Sequence, residues 1–271
     1  MTILNPPTPG RPDHPDFKRL DDAVKTQDMW HPRRGHDESG PHSRPPARLG
    51  FLVVFYYFGS KERLSAKYPS PTRRTIIEPF AGSAGYARLH WEHNVILVEK
   101  DDRVVELWER LRRMTPEQAL SIPPPVVGER SSDLLVMLRA ASEHSLTGEY
   151  LTVTERMVSR WPNLLRRIAA NIPKVQHWRI IHGDYTDAPD IDATWFIDPP
   201  YEMMKRGYRE SGLDYPALGS WCRERTGQVI VCEQEGADWL PFVPLAEMTT
   251  TNNTRKTEVV WYGDGPVTTG P

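Results

Sequence analysis

The stretch ATWFIDPPY, residues 193–201, sets five residues of strand character before an acid, two prolines and a tyrosine. A short apolar run bounded by a turn signal reads as a strand buried on both faces, as in a parallel sheet. Two successive prolines fix φ twice and remove two N–H donors, so the chain leaves the strand in a stiff turn. Asp198 then stands at the carboxyl end of a parallel strand, where open α/β sheets bind ligands.

Outward from this strand, the runs Thr75–Glu78, Val95–Val98, Arg179–Ile181, Gln228–Val231 and Glu258–Tyr262 have the same character, and FLVVFYYF (51–58) precedes them. Helical patterns lie between most of them, which predicts an α/β fold with a mainly parallel sheet and crossover helices. Between the second and third of these runs lie about 75 residues, 103–178, where a crossover needs only about a dozen. Val104, Leu107, Trp108 and Leu111 fall on one helical face, and Thr115-Pro116-Glu117-Gln118 reads as a capping box with proline at the first helical position. Ser132–Ala141 and Pro162–Ile172 continue the helical pattern beyond the Pro123-Pro124-Pro125 break. The expected organisation is a loosely attached or disordered arm at 1–48, a main domain at 49–102 and 179–271, and an inserted helical subdomain at 103–178. The arm is rich in proline and mixed charge, too poor in apolar surface to offset its ordering entropy, and its His31, His36 and His42 have no ligand spacing.

Composition narrows the function classes. In 271 residues, 38% hydrophobic with mean hydropathy −0.57, no apolar run approaches the roughly 20 residues of a membrane span. The N-terminus carries no charged-then-apolar secretory pattern. Cys222 and Cys232 are too isolated for a zinc site or disulfide framework and read as free thiols in a reducing cytoplasm. A net charge of −2 argues against a protein that coats nucleic acid. However, residues 103–180 carry 12 Lys and Arg against 8 Asp and Glu, and 181–271 carry 7 against 15. The middle can face phosphate, or its arginines simply solvate a helical face.

Several residues carry chemistry. Asp198 and the Pro199 carbonyl can each accept one N–H of an exocyclic amine, while Tyr201 stacks on the ring that bears it; the alternative is a strand-ending turn. IIEPFAGSAGYARLH (76–90) ends a strand at Glu78, turns through Gly82 and Gly85, and opens a helix near Gly85. This is either a backbone approach to a ligand or a tight corner. Glu99 ends the next strand, where such folds hold ribose hydroxyls with a carboxylate, or is an ordinary strand-ending acid. Asp184 can accept from an adenine amino group or cap the turn begun at Gly183. His182 reads as a strand-end residue, and His90 and His93 lack the companions of a metal site. Trp161 and Trp178 read as core.

In order, YFGSK, EPFAGSAG, VILVEK, GDYTD, FIDPPY and NNTRKTEVVWYG resemble the motifs of the Dam-like (class alpha) DNA N6-adenine methyltransferases, especially phage-borne members, over roughly residues 55–262. The resemblance implies a Rossmann-like, S-adenosylmethionine-dependent methyltransferase sheet, mostly parallel with an antiparallel C-terminal strand, and a small inserted helical target-recognition subdomain at 103–178. It implies that Tyr57, Gly59, Ser60 and Lys61 help hold the methionine end of S-adenosylmethionine, with Glu78, Phe80, Gly82 and Gly85 as the main cofactor turn. Glu99 then holds the ribose and Asp184 the cofactor's adenine. Asp198, Pro199 and Tyr201 form the catalytic motif, with Pro200 as scaffold. Arg255 and Lys256 fall in a C-terminal hairpin that can touch DNA, and Arg160, Arg166 and Arg167, with Arg156, Lys174 and Arg179, supply phosphate contacts from the insertion. The partner implied is double-stranded DNA with its target adenine flipped out, in restriction–modification or phage biology, with no metal and no membrane. The first motif departs from the family in having Gly-Ser-Lys where many relatives have Gly-Gly-Lys. Competing readings are methylation of cytosine N4 or of RNA, and a non-catalytic nucleic-acid-binding member of the fold. The glycine spacing disfavours a nicotinamide dehydrogenase.

Overall fold

In a computed structural model of the chain, residues 64–133, 150–202, 212–249 and 255–263 are described. The N-terminal arm, the 51–58 strand, the first motif (Tyr57, Gly59, Ser60, Lys61) and most of the Ser132–Ala141 helix lie outside them.

Numbered in chain order, the strands are β1 (Thr75–Glu78), β2 (Asn94–Glu99), β3 (Arg130–Ser131), β4 (Leu151–Thr152), β5 (Arg179–His182), β6 (Ala193–Ile197), β7 (Gly227–Gln234), β8 (Val243–Thr249) and β9 (Arg255–Gly263). Seven form one sheet in the order β5-β2-β1-β6-β7-β9-β8, while β3 and β4 form a separate antiparallel pair. From β5 to β7 the pairings are parallel; β9 runs antiparallel to β7, and β8 to β9. The chain builds β1, β2 and β5 in one direction, then returns to lay β6 and β7 on the other side of β1. This is a Rossmann-like sheet whose order reverses between β1 and β6, with the antiparallel C-terminal strand the resemblance implied.

The helices are α1 (Asp102–Arg113), α2 (Pro116–Leu120), α3 (Glu155–Ser159), α4 (Trp161–Val175) and α5 (Tyr215–Arg223). Helix α1 starts where Asp101 accepts from the Arg103 amide at 3.0 Å, and Val104, Leu107, Trp108 and Leu111 are all buried as its periodicity predicts. The capping box of α2 is present: Thr115 Oγ1 accepts from the Gln118 amide at 3.2 Å and Gln118 Oε1 from the Thr115 amide at 2.8 Å. Helix α4 runs one turn beyond its expected end at Ile172, across Pro173, because Ile172 and Val175 both pack in the core. Side chains of α1, α2 and α4 share one buried cluster with Ile76, Leu97, Phe196 and Ile230, and Trp161 and Trp178 belong to it. A second cluster on the opposite face includes Ile77, Val98, Trp195, Val229 and, from α5, Leu218 and Cys222. Both cysteines are buried, and neither is in a disulfide. No described helix is long and apolar enough to cross a membrane.

Several elements differ from the sequence reading, beginning with the antiparallel pair β3–β4 inside the 103–178 segment read as helical. The helix expected near Gly85 is a single 3-10 turn, Ala87–His90, because β2 begins only four residues later. Strand β8 had no apolar signature: Pro244 lies in it, and a register irregularity follows at Pro244/Ala246. It lies at the sheet edge, where proline's missing N–H is tolerated.

Candidate active site

The carboxyl ends of the parallel strands bring together residues far apart in sequence. Glu78 ends β1, Glu99 ends β2, Asp184 follows β5, Asp198 follows β6, and Glu233 lies near the end of β7. Register keeps them on one edge: Glu78 pairs with Leu97, and Glu99 with His182. Glu78 and Asp198 flank the reversal between β1 and β6, where splayed connections open a crevice in such sheets.

The Asp198–Tyr201 turn is anchored three ways. The Tyr201 hydroxyl donates to Glu258 Oε1 on β9 at 2.6 Å. The Glu202 amide donates to Glu233 Oε1 at 2.9 Å, and the Tyr215 hydroxyl donates to the Pro200 carbonyl at 2.8 Å. Asp198 is half-buried and Pro199 buried, and among the described residues no donor reaches the Pro199 carbonyl. Tyr201 is only 8% exposed. Its hydroxyl, which the sequence reading left without a task, is thus a structural tether.

Beside this turn, Glu78 is 2% exposed and accepts from the Ala87 amide at 2.5 Å. Burial, with the nearby Asp198 carboxylate adding to it, pushes the Glu78 carboxyl up to about 8 against the bonds to Ala87 and the charge of Arg88. The glycine turn that follows is left-handed at Gly82 (φ 44°) and Ala84 (φ 51°). Gly85 is not, so of the two glycines only Gly82 needs a missing Cβ for its conformation. Gly82 is held at both ends: its amide donates to Glu99 Oε2 at 2.8 Å, and its carbonyl accepts from the Trp108 indole of α1 at 2.9 Å. Glu99 Oε1 also accepts from the Lys100 and Asp101 amides, both at 2.9 Å. A carboxylate offers about four acceptor positions, so Glu99 keeps one. Burial raises its pKa in spite of these bonds.

Phe80 stacks on Tyr185, with ring centroids 5.5 Å apart and planes 24° apart. Asp184 sits at the start of the 3-10 turn Tyr185–Asp187; its amide donates to Asp187 Oδ2 at 2.7 Å and its carboxylate meets Lys100 at 3.4 Å. A Cβ at Gly183 would meet the Asp187 carboxylate and displace it from this turn. His90 packs on the Tyr86 ring, and His182 is exposed at the end of β5.

The basic residues divide by position. Because β9 is antiparallel to β7, Arg255 and Lys256 start it at the edge that carries the site, where Lys256 Nζ meets Gln234 Oε1 at 3.0 Å. Arg160 begins α4 and is exposed, as is Arg166, whose Nη2 meets Asn163 Oδ1 at 2.6 Å; Arg167 is half-buried. Lys174 lies over the Trp91 ring at 5.7 Å, ahead of β2, and Arg179 starts β5. Both are therefore on the opposite, amino edge, away from Asp198. Arg130 lies over the exposed Tyr150 ring at 4.9 Å, beside the β3–β4 pair.

Sequence reading passed over four residues that shape the site: Tyr68, Tyr215, Glu233 and Glu258. Glu233 had the signal of Asp198 and Glu99, an acid near the end of an apolar strand. Glu258 had another, an acid in the buried phase of KTEVVWYG. Nothing local marks either tyrosine.

No protein-family model matches the chain, and no curated protein sequence does. Among solved structures it is similar to a conserved hypothetical protein of Streptococcus pyogenes, at 12% identity over 70% of this chain and 86% of that one, with TM-score 0.32. It is similar also to a candidate methylase of Haemophilus influenzae (15% identity, 70% and 78%, TM-score 0.33). A candidate methyltransferase of Escherichia coli compares at 11% identity, 70% and 75%, with TM-score 0.30. Similarity at this level decides neither chemistry nor substrate.

Proposed function

We propose that the chain is an S-adenosylmethionine-dependent methyltransferase acting on the exocyclic N6 amine of adenine in DNA. One observation carries this reading. A half-buried carboxylate followed by a Pro199 carbonyl that no described donor reaches is held rigidly at the sheet's reversal, next to the glycine turn and Glu99.

The residues present fit the cofactor. Glu99 retains an acceptor position for a ribose hydroxyl, Gly82 leaves backbone uncovered by a Cβ, and Phe80 and Asp184 stand on the same edge. They would form the holding set together with Tyr57, Gly59, Ser60, Lys61 and Gly85, while the enclosed Glu78 braces the same turn from behind through the Ala87 amide. When bound, S-adenosylmethionine supplies an electrophilic methyl on a sulfonium.

The chain's own work is clamping and charge stabilisation. Adenine's amine is a poor nucleophile because its lone pair is delocalised into the ring. Accepting its two N–H bonds at Asp198 and Pro199 favours a more tetrahedral nitrogen with the lone pair directed outward. The carboxylate and the Tyr201 ring face then stabilise the positive charge that develops on nitrogen. Fixing this geometry in advance removes part of the entropic barrier. A base in a duplex cannot reach such a turn, so the target is flipped at a cost of a few kcal/mol of unstacking. Arg160, Arg166, Arg167, Arg255 and Lys256 contact phosphate, and the 103–178 segment provides target recognition.

The test is incubation of the protein with labelled S-adenosylmethionine and DNA or RNA, followed by nucleoside analysis. N6-methyladenine in DNA is the expected product. Label in N4-methylcytosine or only in RNA replaces the substrate assignment, and no transfer to any nucleic acid overturns the reading.

A further inference from the structure

Glu258 lies on β9, in the same buried phase as Val260. Neighbouring positions on that face belong to an apolar cluster that includes Cys232, Phe196 and Tyr68. Glu258 is 1% exposed. An acid in such a position costs desolvation unless it is hydrogen-bonded, and two phenols converge on one of its oxygens. Tyr68 donates to Oε1 at 2.7 Å and Tyr201 at 2.6 Å. The two tyrosines lie far apart in the chain, on either side of the β1–β6 segment. Tyr68 precedes β1 and packs edge-on against Phe196 of β6 at 5.0 Å, whereas Tyr201 follows β6. Burial, with Cys232, Glu258 and Asp198 close by, holds the Tyr68 hydroxyl well above its ordinary pKa, so it stays a donor.

The consequence concerns the turn. Asp198 and Pro199 lie between the fixed end of β6 and Tyr201, and proline rings stiffen what is left. Fixing the phenol at Glu258 and the Glu202 amide at Glu233 therefore sets the direction of the Asp198 carboxylate and the Pro199 carbonyl. An ordinary edge hairpin needs no acid here; an apolar residue would pack at lower cost. We infer that Glu258 is a positioning residue of the site. From the antiparallel strand β9 it tethers Tyr201, and through Tyr201 it holds the two oxygens that grip the substrate amine. Its effect on rate rests on the reading of this turn as an amine clamp; its effect on the turn does not.

The experiment compares the intact chain with Glu258→Gln, Tyr201→Phe and the double variant. Glutamine keeps an acceptor oxygen but loses charge assistance, and phenylalanine keeps the ring and removes only the donor. The first readout is amide hydrogen exchange over 198–202. Because prolines carry no N–H, only Asp198, Tyr201 and Glu202 report there. Exchange at Tyr201 and Glu202 is expected to rise about tenfold or more in each single variant, with the β1 and β2 amides unchanged. The second readout is single-turnover methyl transfer beside cofactor affinity. The rate is expected to fall by roughly tenfold in each single variant, with cofactor dissociation within about threefold, and the double variant is no worse than the slower single. Unchanged exchange in either single variant overturns the tether, and losses that multiply in the double variant overturn action through Tyr201. If the wild-type chain methylates nothing, the proposed function falls while the exchange result still decides whether Glu258 holds the turn.

Discussion

At the scale of single residues, two carboxyl groups a strand apart sit in opposite surroundings. Asp198 is half-buried beside a carbonyl that no described donor reaches, whereas Glu78 is wholly enclosed and tied to the Ala87 amide. Replacing Asp198 by alanine is expected to lower methyl transfer by roughly 10³-fold, as for loss of a charge-stabilising group in other sites. Cofactor affinity should stay within a few-fold, as read by titration; a fully active variant removes Asp198 from the mechanism. Glu78 makes a prediction about stability. Its carboxyl moves from 4.5 in the unfolded chain to about 8 in the folded one, so between those values the folded state holds a proton the unfolded state has lost. Stability from this group is complete below pH 4.5 and declines as pH rises towards 8. Glu78→Gln, which stays neutral, should flatten the fall in melting temperature between pH 5 and 8. A slope equal to that of the wild type contradicts the shift. Both acids were legible in sequence as strand ends. That one is enclosed and the other only half-buried was not, since enclosure depends on which turns fold over them.

Elements show how the site is held from behind. The Gly82 turn hangs between β2, through Glu99, and α1, through the Trp108 indole. Helix α1 was legible because four apolar residues share a face; its Asp101 cap came only with the structure. The indole's task was hidden, as periodicity assigns Trp108 to the core and says nothing of its N–H. Trp108→Phe keeps most of the packing and deprives the Gly82 carbonyl of this donor. Its expected cost is about 1–3 kcal/mol, visible in denaturant unfolding, together with weaker cofactor binding. Undiminished affinity in a destabilised variant would assign the bond to folding alone. Strand β8 escaped sequence reading for a related reason: an edge strand containing Pro244 is defined by its partner β9 and not by its own propensity.

Across the whole molecule, charge and topology separate two groups of basic residues that composition treats alike. Arg255 and Lys256 stand on the site edge, while Lys174 and Arg179 stand on the opposite one. Helix α4, of 15 residues, puts Arg160 about 22 Å from its C-terminal end. If DNA lies over the site edge, Arg255→Ala and Lys256→Ala should each reduce the slope of log affinity against log salt by about 0.9. Lys174→Ala and Arg179→Ala should leave it unchanged in the same titration. Equal effects from both pairs would mean that DNA does not approach from the site edge.

Local chemistry alone was enough for the alternation of strands and helices, the buried runs of the parallel strands, the capping box of α2, and the acids at strand ends. Each depends on neighbours within a few residues, which the chain states directly. The tertiary structure alone decided which acids share an edge, which face of β9 is buried, and which phenols reach Glu258 across 57 and 190 positions. Those pairings arise from strand order and direction, and contacts between distant segments come into being only when the sheet has assembled.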